Sequence, residues 1–212
     1  METSVKVLTN LDLVGGHLAL DFVNSVGGLV DPDPASEALR SYDALLAWSQ
    51  IAGSLDEEAA QALARRARRH PEAAEAAFAR ALELRELADR VIRSVAAGGK
   101  PNADDLATVR AEESAALARA ELAPAGHGPE WRWQWRDTDD LEAPLWPLAH
   151  AVVDLLTHGR LERLRGCANC RWLFLDESRN ASRRWCSMDG CGTDVKKRRY
   201  VERRRERRRS TR

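Results

Sequence analysis

The chain has 212 residues, 44% of them hydrophobic, and equal numbers of basic and acidic side chains. This length supports one sizeable core and a smaller appended module, but not three domains. No apolar run approaches the ~20 residues that a membrane helix needs, and residues 1–10 lack the apolar stretch of a signal peptide. We therefore expect a cytoplasmic protein with no membrane partner.

The zero net charge hides an asymmetry along the chain. Residues 160–212 hold 18 Lys and Arg against 7 Asp and Glu, a net charge of +11, whereas residues 1–159 hold 15 against 26, a net charge of −11. An acidic body with a basic C-terminal segment is typical of proteins that bind a polyanion.

The N-terminal part is predicted to be mostly helical with a small β-sheet. Large apolar side chains recur at every second position within residues 14–26, at Leu18, Leu20 and Phe22, and within residues 130–136, where three Trp alternate with polar residues. This spacing predicts two strands that can pair with each other. Cap, proline and glycine signals predict four helices between them: from Asp33-Pro34 to Gly53, from Ser54 in a capping box with Glu57, from Pro71 to Gly98-Gly99, and from Asn102 to about Leu122. A fifth helix is predicted over residues 144–165, with Gly159 as a candidate break within it.

All four cysteines lie in one short segment, from 167 to 191. Cys167 and Cys170 form one close pair, Cys186 and Cys191 form another, and the segment 171–185 separates the pairs. Zinc prefers four soft ligands in a tetrahedron with Zn–S distances of ~2.3 Å, and two short Cys loops supply such a set. A disulfide framework would spread its cysteines more widely, and a thioredoxin-type role would need a βαβ unit. We predict that these four Cys bind Zn²⁺.

The residues around the Cys pairs predict a small ββα-like module. Residues 171–175 are strand-like, 176–180 carry turn residues, and 181–185 can form the returning strand. Residues 192–209 contain no helix breaker and predict a basic C-terminal helix. A module of about 45 residues buries little apolar surface alone, so metal binding is expected to supply most of its folding free energy.

These residues resemble a known family. The motifs are WLFLD at 172–176, SRN at 178–180, SRRWCSM at 182–188 and Cys-Gly at 191–192, followed by a basic helix. They are similar to the CGNR zinc finger that closes bacterial stress-induced transcription regulators, and GHLALDFVNS at 16–25 resembles the start of the N-terminal ABATE domain of those proteins. The resemblance implies a sensor or regulatory domain over 1–160 and a zinc finger with a basic tail over 161–212.

The chain departs from the family motif at one informative place. Where the family has Cys-Gly-Asn-Arg, this sequence has Cys191-Gly-Thr-Asp194. An Asp in place of an Arg removes one potential phosphate contact and adds a negative charge. The change leaves the four predicted metal ligands intact.

Two basic surfaces are predicted to bind double-stranded DNA, mainly through phosphates. They comprise Arg179, Arg183 and Arg184 in the turn and Lys196, Lys197, Arg198, Arg199 and Arg203 in the helix. We expect Lys196, Lys197 and Arg199 to face the groove, because Arg and Lys reach both phosphates and guanine edges. An Arg-rich tail alone is often only a solvated charge run, but beside a zinc module the binding interpretation is favoured. RNA remains an alternative partner.

The N-terminal part offers fewer signals. Asp21, Asn24, Trp131 and Trp133 are predicted to line a pocket for a small-molecule effector, although an aromatic stripe at strand spacing is more often core. The chain contains no HExxH, GxSxG, P-loop or GxGxxG motif, so we do not expect an enzyme.

The sequence therefore favours a zinc-dependent, DNA-binding transcription regulator that responds to a small-molecule or stress signal. In one alternative, the N-terminal domain is an enzyme that uses Asp21, His17 or His150, and the finger is a docking module. In another, oxidation of the cysteines ejects zinc and releases DNA. Symmetric DNA half-sites would require a homodimer, but no sequence stripe marks its interface.

Overall fold

The computed structural model describes residues 13–27, 37–126, 128–137 and 139–210. The fold is α+β and mostly helical, as predicted. The α-helices are α1 (Leu18–Val23), α2 (Tyr42–Ile51), α3 (Glu57–Arg69), α4 (Pro71–Ala96), α5 (Ala103–Leu117), α6 (Leu145–His158) and α7 (Thr193–Ser210). The strands are β1 (Glu121–Pro124), β2 (Trp131–Gln134), β3 (Leu164–Gly166) and β4 (Leu173–Leu175). None of the described helices is long and apolar enough to cross a membrane.

The long helix α4 lies at the centre of the helical body. Its buried residues recur along one stripe, from Ala74 to Ile92, and they contribute to both buried clusters of the core. One cluster surrounds Trp48, whose ring lies 5.7 Å from that of Phe22. The other includes α1, α6 and the leucines of β3 and β4. A buried face of this length is the main source of stability for a helix in water.

The predicted N-terminal strand over 14–26 is wrong, because Leu18–Val23 form helix α1. The Nδ1 atom of His17 caps this helix by accepting a hydrogen bond from the Ala19 backbone N–H at 3.3 Å. Four of its six residues are buried. When a short helix is buried on most sides, its apolar residues no longer follow the 3.6-residue helical period. Apolar residues two positions apart then resemble the pattern of a strand.

The predicted second strand exists, but its partner was wrong. β2 pairs in antiparallel register with β1, so that Leu122 faces Trp133 and Pro124 faces Trp131. Helix α5 begins after the predicted cap, Asn102, but ends at Leu117, and the residues that follow it form β1.

Other helix boundaries also differ from the prediction. Helix α3 is capped by Asp56 rather than Ser54, whose hydroxyl donates to the Ser49 carbonyl instead. Helix α2 begins after Ser41, and the predicted start at residues 33–34 lies outside the described residues. Helix α6 ends at His158, at the candidate break Gly159, and a 3-10 turn and β3 follow it in place of the rest of the predicted helix. The predicted start of α4 at Pro71 is confirmed.

The cysteine-bearing segment packs against the helical body through α1. The Asn24 side chain donates to the Leu173 carbonyl at 2.8 Å and accepts from the Leu173 N–H at 2.9 Å. The Gly15 carbonyl accepts from the Leu175 N–H at 2.8 Å. A Cβ at Gly15 would lie 2.7 Å from the Cβ of Leu20, so this close approach requires glycine. Because the two parts share buried contacts, the division at residue 160 stays a prediction.

Candidate zinc centre and nucleic-acid interface

The first Cys pair lies in the loop between β3 and β4. These strands pair in antiparallel register, from Leu164 opposite Leu175 to Gly166 opposite Leu173. The predicted returning strand over 181–185 is wrong, because the strand that pairs with β4 precedes the Cys loop. The segment 181–185 instead runs past that loop, where the Arg184 carbonyl accepts from the Ala168 N–H at 2.9 Å. In the second Cys pair, Cys186 precedes the turn at Met188–Gly192 and Cys191 lies within it. The turn leads into α7.

The four cysteine sulfurs converge on one point. All four Sγ atoms lie within 4.8 Å of one another, and Cys186 Sγ lies 3.6 Å from the Sγ atoms of both Cys170 and Cys191. A tetrahedron with Zn–S distances of ~2.3 Å has S–S edges of about 3.8 Å. The cluster therefore fits a zinc ion in both size and donor chemistry, and Cys167, Cys170, Cys186 and Cys191 would hold it.

Backbone amides around the cluster point toward the sulfurs. The Asn169 and Cys186 N–H groups donate to Cys167 Sγ at 3.4 and 3.3 Å, and the Trp172 N–H donates to Cys170 Sγ at 3.5 Å. Hydrogen bonds of this kind stabilise negative charge on sulfur and fix the direction of each ligand. The loops are therefore organised to present thiolates to a cation.

The four sulfurs do not stabilise negative charge equally. A hydrogen bond from the Cys186 thiol lowers the pKa of Cys170 to about 6. The same bond raises the pKa of Cys186, and burial raises the pKa of Cys191 to about 11. A bound zinc ion would supply the positive charge that allows Cys167, Cys170, Cys186 and Cys191 all to be thiolates, so zinc binding should release protons.

A buried carboxylate shapes the turn between the two Cys pairs. Asp176 accepts from the backbone N–H groups of Ser178 and Arg183 at 2.9 and 2.8 Å. Hydrogen bonds, chiefly from the Ser178 side chain, hold the pKa of Asp176 below its usual range. The sequence indicated a turn here but gave no sign that Asp176 would organise it.

The structure divides the predicted DNA-contacting residues of the turn into two kinds. Arg179 and Arg184 are exposed, whereas the Arg183 guanidinium packs 4.4 Å over the Phe174 ring and donates to the Trp185 and Cys186 carbonyls. Arg183 therefore stabilises the loop that carries the second Cys pair. Because its guanidinium is used in these contacts, Arg183 is poorly placed for the predicted phosphate contact.

Helix α7 carries the second predicted surface. It contains ten Lys and Arg against three Asp and Glu, a net charge of +7. Lys196, Lys197 and Arg199 are exposed, and their side chains have no hydrogen bond or ion pair to the described residues. Arg198 donates to the Asn169 side chain in the Cys loop, and Arg203 donates to the Arg199 carbonyl at 3.2 Å. Arg198 thus ties the helix to the metal site.

Of the four residues predicted to line a small-molecule pocket, Trp133 lines a cavity and the other three lie outside it. Asn24 is buried and bonded to Leu173, and Asp21 accepts from the Gly15 N–H at 2.8 Å. Trp131 is 66% exposed. Trp133 lines a cavity of about 610 Å³ formed by α6, β2, the start of α1 and the α2–α3 turn. The cavity residues lie far apart in sequence, and no local pattern would have linked them.

The Asp21 carboxyl gives a testable pH dependence. Burial raises its pKa from 3.8 to about 6, partly offset by the hydrogen bond from Gly15. The folded state thus holds this proton more tightly than the unfolded state, so the group's contribution to stability falls as pH rises from about 4 to about 6 and stays low above that. Asp21→Asn keeps the acceptor oxygen and should raise the unfolding free energy at pH 7.5 by about 1 kcal/mol.

Urea denaturation at pH 4 and pH 7.5 measures this effect. The gain should shrink toward zero at pH 4, where native Asp21 is protonated. The matched control is Asp139→Asn, whose side chain is 93% exposed and which should change little at either pH. Equal stability of Asp21→Asn and the native protein at pH 7.5 would show that Asp21 carries no burial cost.

Comparison with known protein families agrees with this architecture. A family model described as "ABATE: Putative stress-induced transcription regulator" matches residues 16–159. The chain belongs to the ABATE family. A CGNR zinc finger model matches residues 163–204, a span that contains all four cysteines and the first part of α7. The family expected from the sequence is thereby confirmed. Neither of the two family descriptions names an enzymatic activity. No curated protein matches the chain.

Proposed function

We propose that this protein is a transcription regulator that binds duplex DNA through its zinc finger and α7. The observation that supports the proposal is the position of α7, which begins two residues after the last Cys ligand and carries a net charge of +7. Zinc would fix the start of the helix, and Lys196, Lys197 and Arg199 would remain available for phosphates.

The shape of the finger favours duplex DNA over other nucleic acids. An α-helix is about as wide as the major groove of B-DNA, whereas the major groove of A-form RNA is deep and narrow. Single-strand binding commonly uses exposed aromatic platforms. Here Phe174 is buried and the Trp172 indole donates to the Val26 carbonyl of the body, so both rings are used in packing. The exposed Tyr200 ring of α7 lies 5.8 Å from the Arg204 guanidinium.

Helix α1 is a candidate connection between the body and the finger. His17, at its start, lines the 610 Å³ cavity, and Asn24, just after its end, is bonded to β4. A signal bound in the cavity would change the finger if it favoured one position of α1 over another.

The enzyme alternative is less well supported. Of its three predicted groups, Asp21 does not line the cavity, and His17 is already hydrogen-bonded through Nε2 to Asp154 and through Nδ1 to Ala19. His150 is left as the open group. A single base can orient a ligand, but it does not by itself provide an acid–base pair or a nucleophile.

A competition experiment tests the choice of nucleic acid. Zinc-loaded protein is bound to a labelled DNA duplex, and unlabelled duplex DNA, single-stranded DNA and duplex RNA of equal length compete for it. We expect duplex DNA to compete at least tenfold better than either alternative. Stronger competition by RNA would contradict the assignment to DNA, and no binding of any of them at low salt would contradict the function itself.

A further inference from the structure

We infer that the cavity lined by Trp133 and His150 is a binding site for a small, flat aromatic molecule that carries an acidic O–H or N–H group. The inference deepens the proposed function, since it takes this molecule to be the signal. The cavity volume of about 610 Å³ lies within the range of ligand pockets, about 300–1,000 Å³. Its wall combines indole rings with histidines that are each held by a carboxylate.

His150 is fixed so that one ring nitrogen is left for a ligand. Its Nδ1 lies 2.9 Å from Glu113 Oε1, and because a carboxylate accepts hydrogen bonds, Nδ1 carries the proton. Glu113 does not line the cavity, so the opposite nitrogen, Nε2, is the one on the cavity side. Nε2 has no hydrogen bond to the described residues, and in the neutral imidazole with the proton on Nδ1 it presents a lone pair.

The ring of His150 is held from a second side. Its centroid lies 5.5 Å from that of Trp135, whose indole N–H donates to the Ala116 carbonyl at 2.8 Å. Supports of this kind fix the position of a ligand-binding group in the absence of ligand. Only a hydrogen-bond donor on the ligand can use the Nε2 lone pair, and this requirement gives the O–H or N–H group of the proposal.

The histidine and carboxylate side chains at the cavity other than His150 already have partners. His17 Nε2 lies 3.1 Å from Asp154 Oδ2, and Asp154 Oδ1 lies 3.3 Å from His158 Nδ1. Asp56 Oδ1 accepts from the Ala59 N–H at 2.8 Å. The exposed Arg132 also lines the cavity, without a hydrogen bond or ion pair to the described residues. Its guanidinium offers only donors, so His150 Nε2 stays the acceptor for a donor group of the ligand, which favours a mostly apolar molecule with one such group.

The aromatic character of the ligand follows from β2. Leu122, Pro124, Trp131 and Trp133 share one face of the β1–β2 hairpin by their register. Trp133 is 39% exposed, and Leu122 and Trp131 are more exposed still. An apolar surface of this kind next to a cavity is typical of a binding site. Because Trp133 is the member that lines the cavity, a flat ring can stack on its indole.

The test uses 2-naphthol and its methyl ether, 2-methoxynaphthalene, which differ in the O–H group. Binding to the zinc-loaded full chain is measured by equilibrium dialysis without DNA. We expect saturable binding of 2-naphthol and about fivefold weaker binding of the ether, because the ether cannot donate to His150. His150→Phe, which has no acceptor, should abolish this preference, whereas Trp133→Ala should weaken both ligands about tenfold.

Trp131→Ala is the matched control, because Trp131 shares the strand and face of Trp133 but lies outside the cavity. It should leave both affinities unchanged. Absence of saturable binding, or equal affinities in the native protein and Trp133→Ala, would overturn the inference. If the native protein is a dimer that binds no naphthol, and the dimer dissociates in Trp133→Ala, this face binds a second copy of the chain instead. Since no DNA is present, failure of DNA binding leaves this result intact.

Discussion

Loss of the zinc ligand Cys186 should abolish DNA binding while the helical body remains folded. Cys186 is 2% exposed and its sulfur lies 3.6 Å from two other cysteine sulfurs. In Cys186→Ser we expect less than one zinc per chain and a loss of at least 100-fold in affinity for duplex DNA, because metal binding supplies most of the folding free energy of such a module. Metal analysis, circular dichroism and fluorescence anisotropy measure the three properties.

Ser182→Ala is the matched control, because Ser182 lies exposed in the same segment and is not a ligand. It should retain zinc and DNA binding. The helical signal of Cys186→Ser should fall only modestly, since helices α2–α6 are held by cores that Cys186 does not join. A Cys186→Ser protein with full zinc content and native DNA affinity would contradict the assignment of the four ligands.

Exposure of the native protein to mild peroxide, with zinc release followed in parallel, tests the oxidation hypothesis.

Removal of three charges from α7 should weaken DNA binding and reduce its salt dependence. In Lys196→Gln/Lys197→Gln/Arg199→Gln, the helix is preserved because Gln is nearly as good a helix former as Lys. If each side chain neutralises one phosphate, the slope of log Kobs against log salt should become about 2.7 less negative. Affinity at low salt should fall on the order of 100-fold or more.

The control removes the same charge from a different helix. Arg65, Arg68 and Arg69 are exposed on α3, and the triple Gln variant at these positions changes the net charge equally. It should retain the native salt slope if binding is localised on α7. An equal loss in both triple variants would show that only the total charge of the protein matters.

The zinc centre could be predicted from sequence because its chemistry is local. Two close Cys pairs on either side of the segment 171–185 specify a ligand set whatever strands surround them. The arrangement of the strands was less accessible, because β4 pairs with β3 at Leu164–Gly166, before the first Cys, rather than with the segment after it. Strand pairing depends on the whole fold and leaves little trace in such short strands.

The helical body shows more clearly which helices hydrophobic periodicity can predict and which it cannot. Long amphipathic helices such as α4 were predicted with the correct start, because a single buried face repeats over many turns. Helix α1 was predicted as a strand because it is short and buried on most sides. The same burial explains why Asn24 was interpreted as a pocket residue, although its amide is used to bind the backbone of β4.

The cavity could not be predicted because its residues come from four separate elements. His17, Ser54, Trp133 and His150 become neighbours only when α1, the α2–α3 turn, β2 and α6 assemble. Trp133 was the one predicted pocket residue that lines it. The orientation of His150 depends on Glu113 in α5, a contact between residues that are distant in sequence.

The most direct test of zinc-dependent DNA binding is an anisotropy titration of the zinc-loaded protein with random duplex DNA at several salt concentrations, repeated after chelation of the metal. We predict binding that weakens steeply with salt and that disappears when the zinc is removed, because the finger positions α7 and the cations of α7 bind the phosphates. Equal binding before and after chelation, or no binding at low salt with zinc confirmed present, would contradict the account.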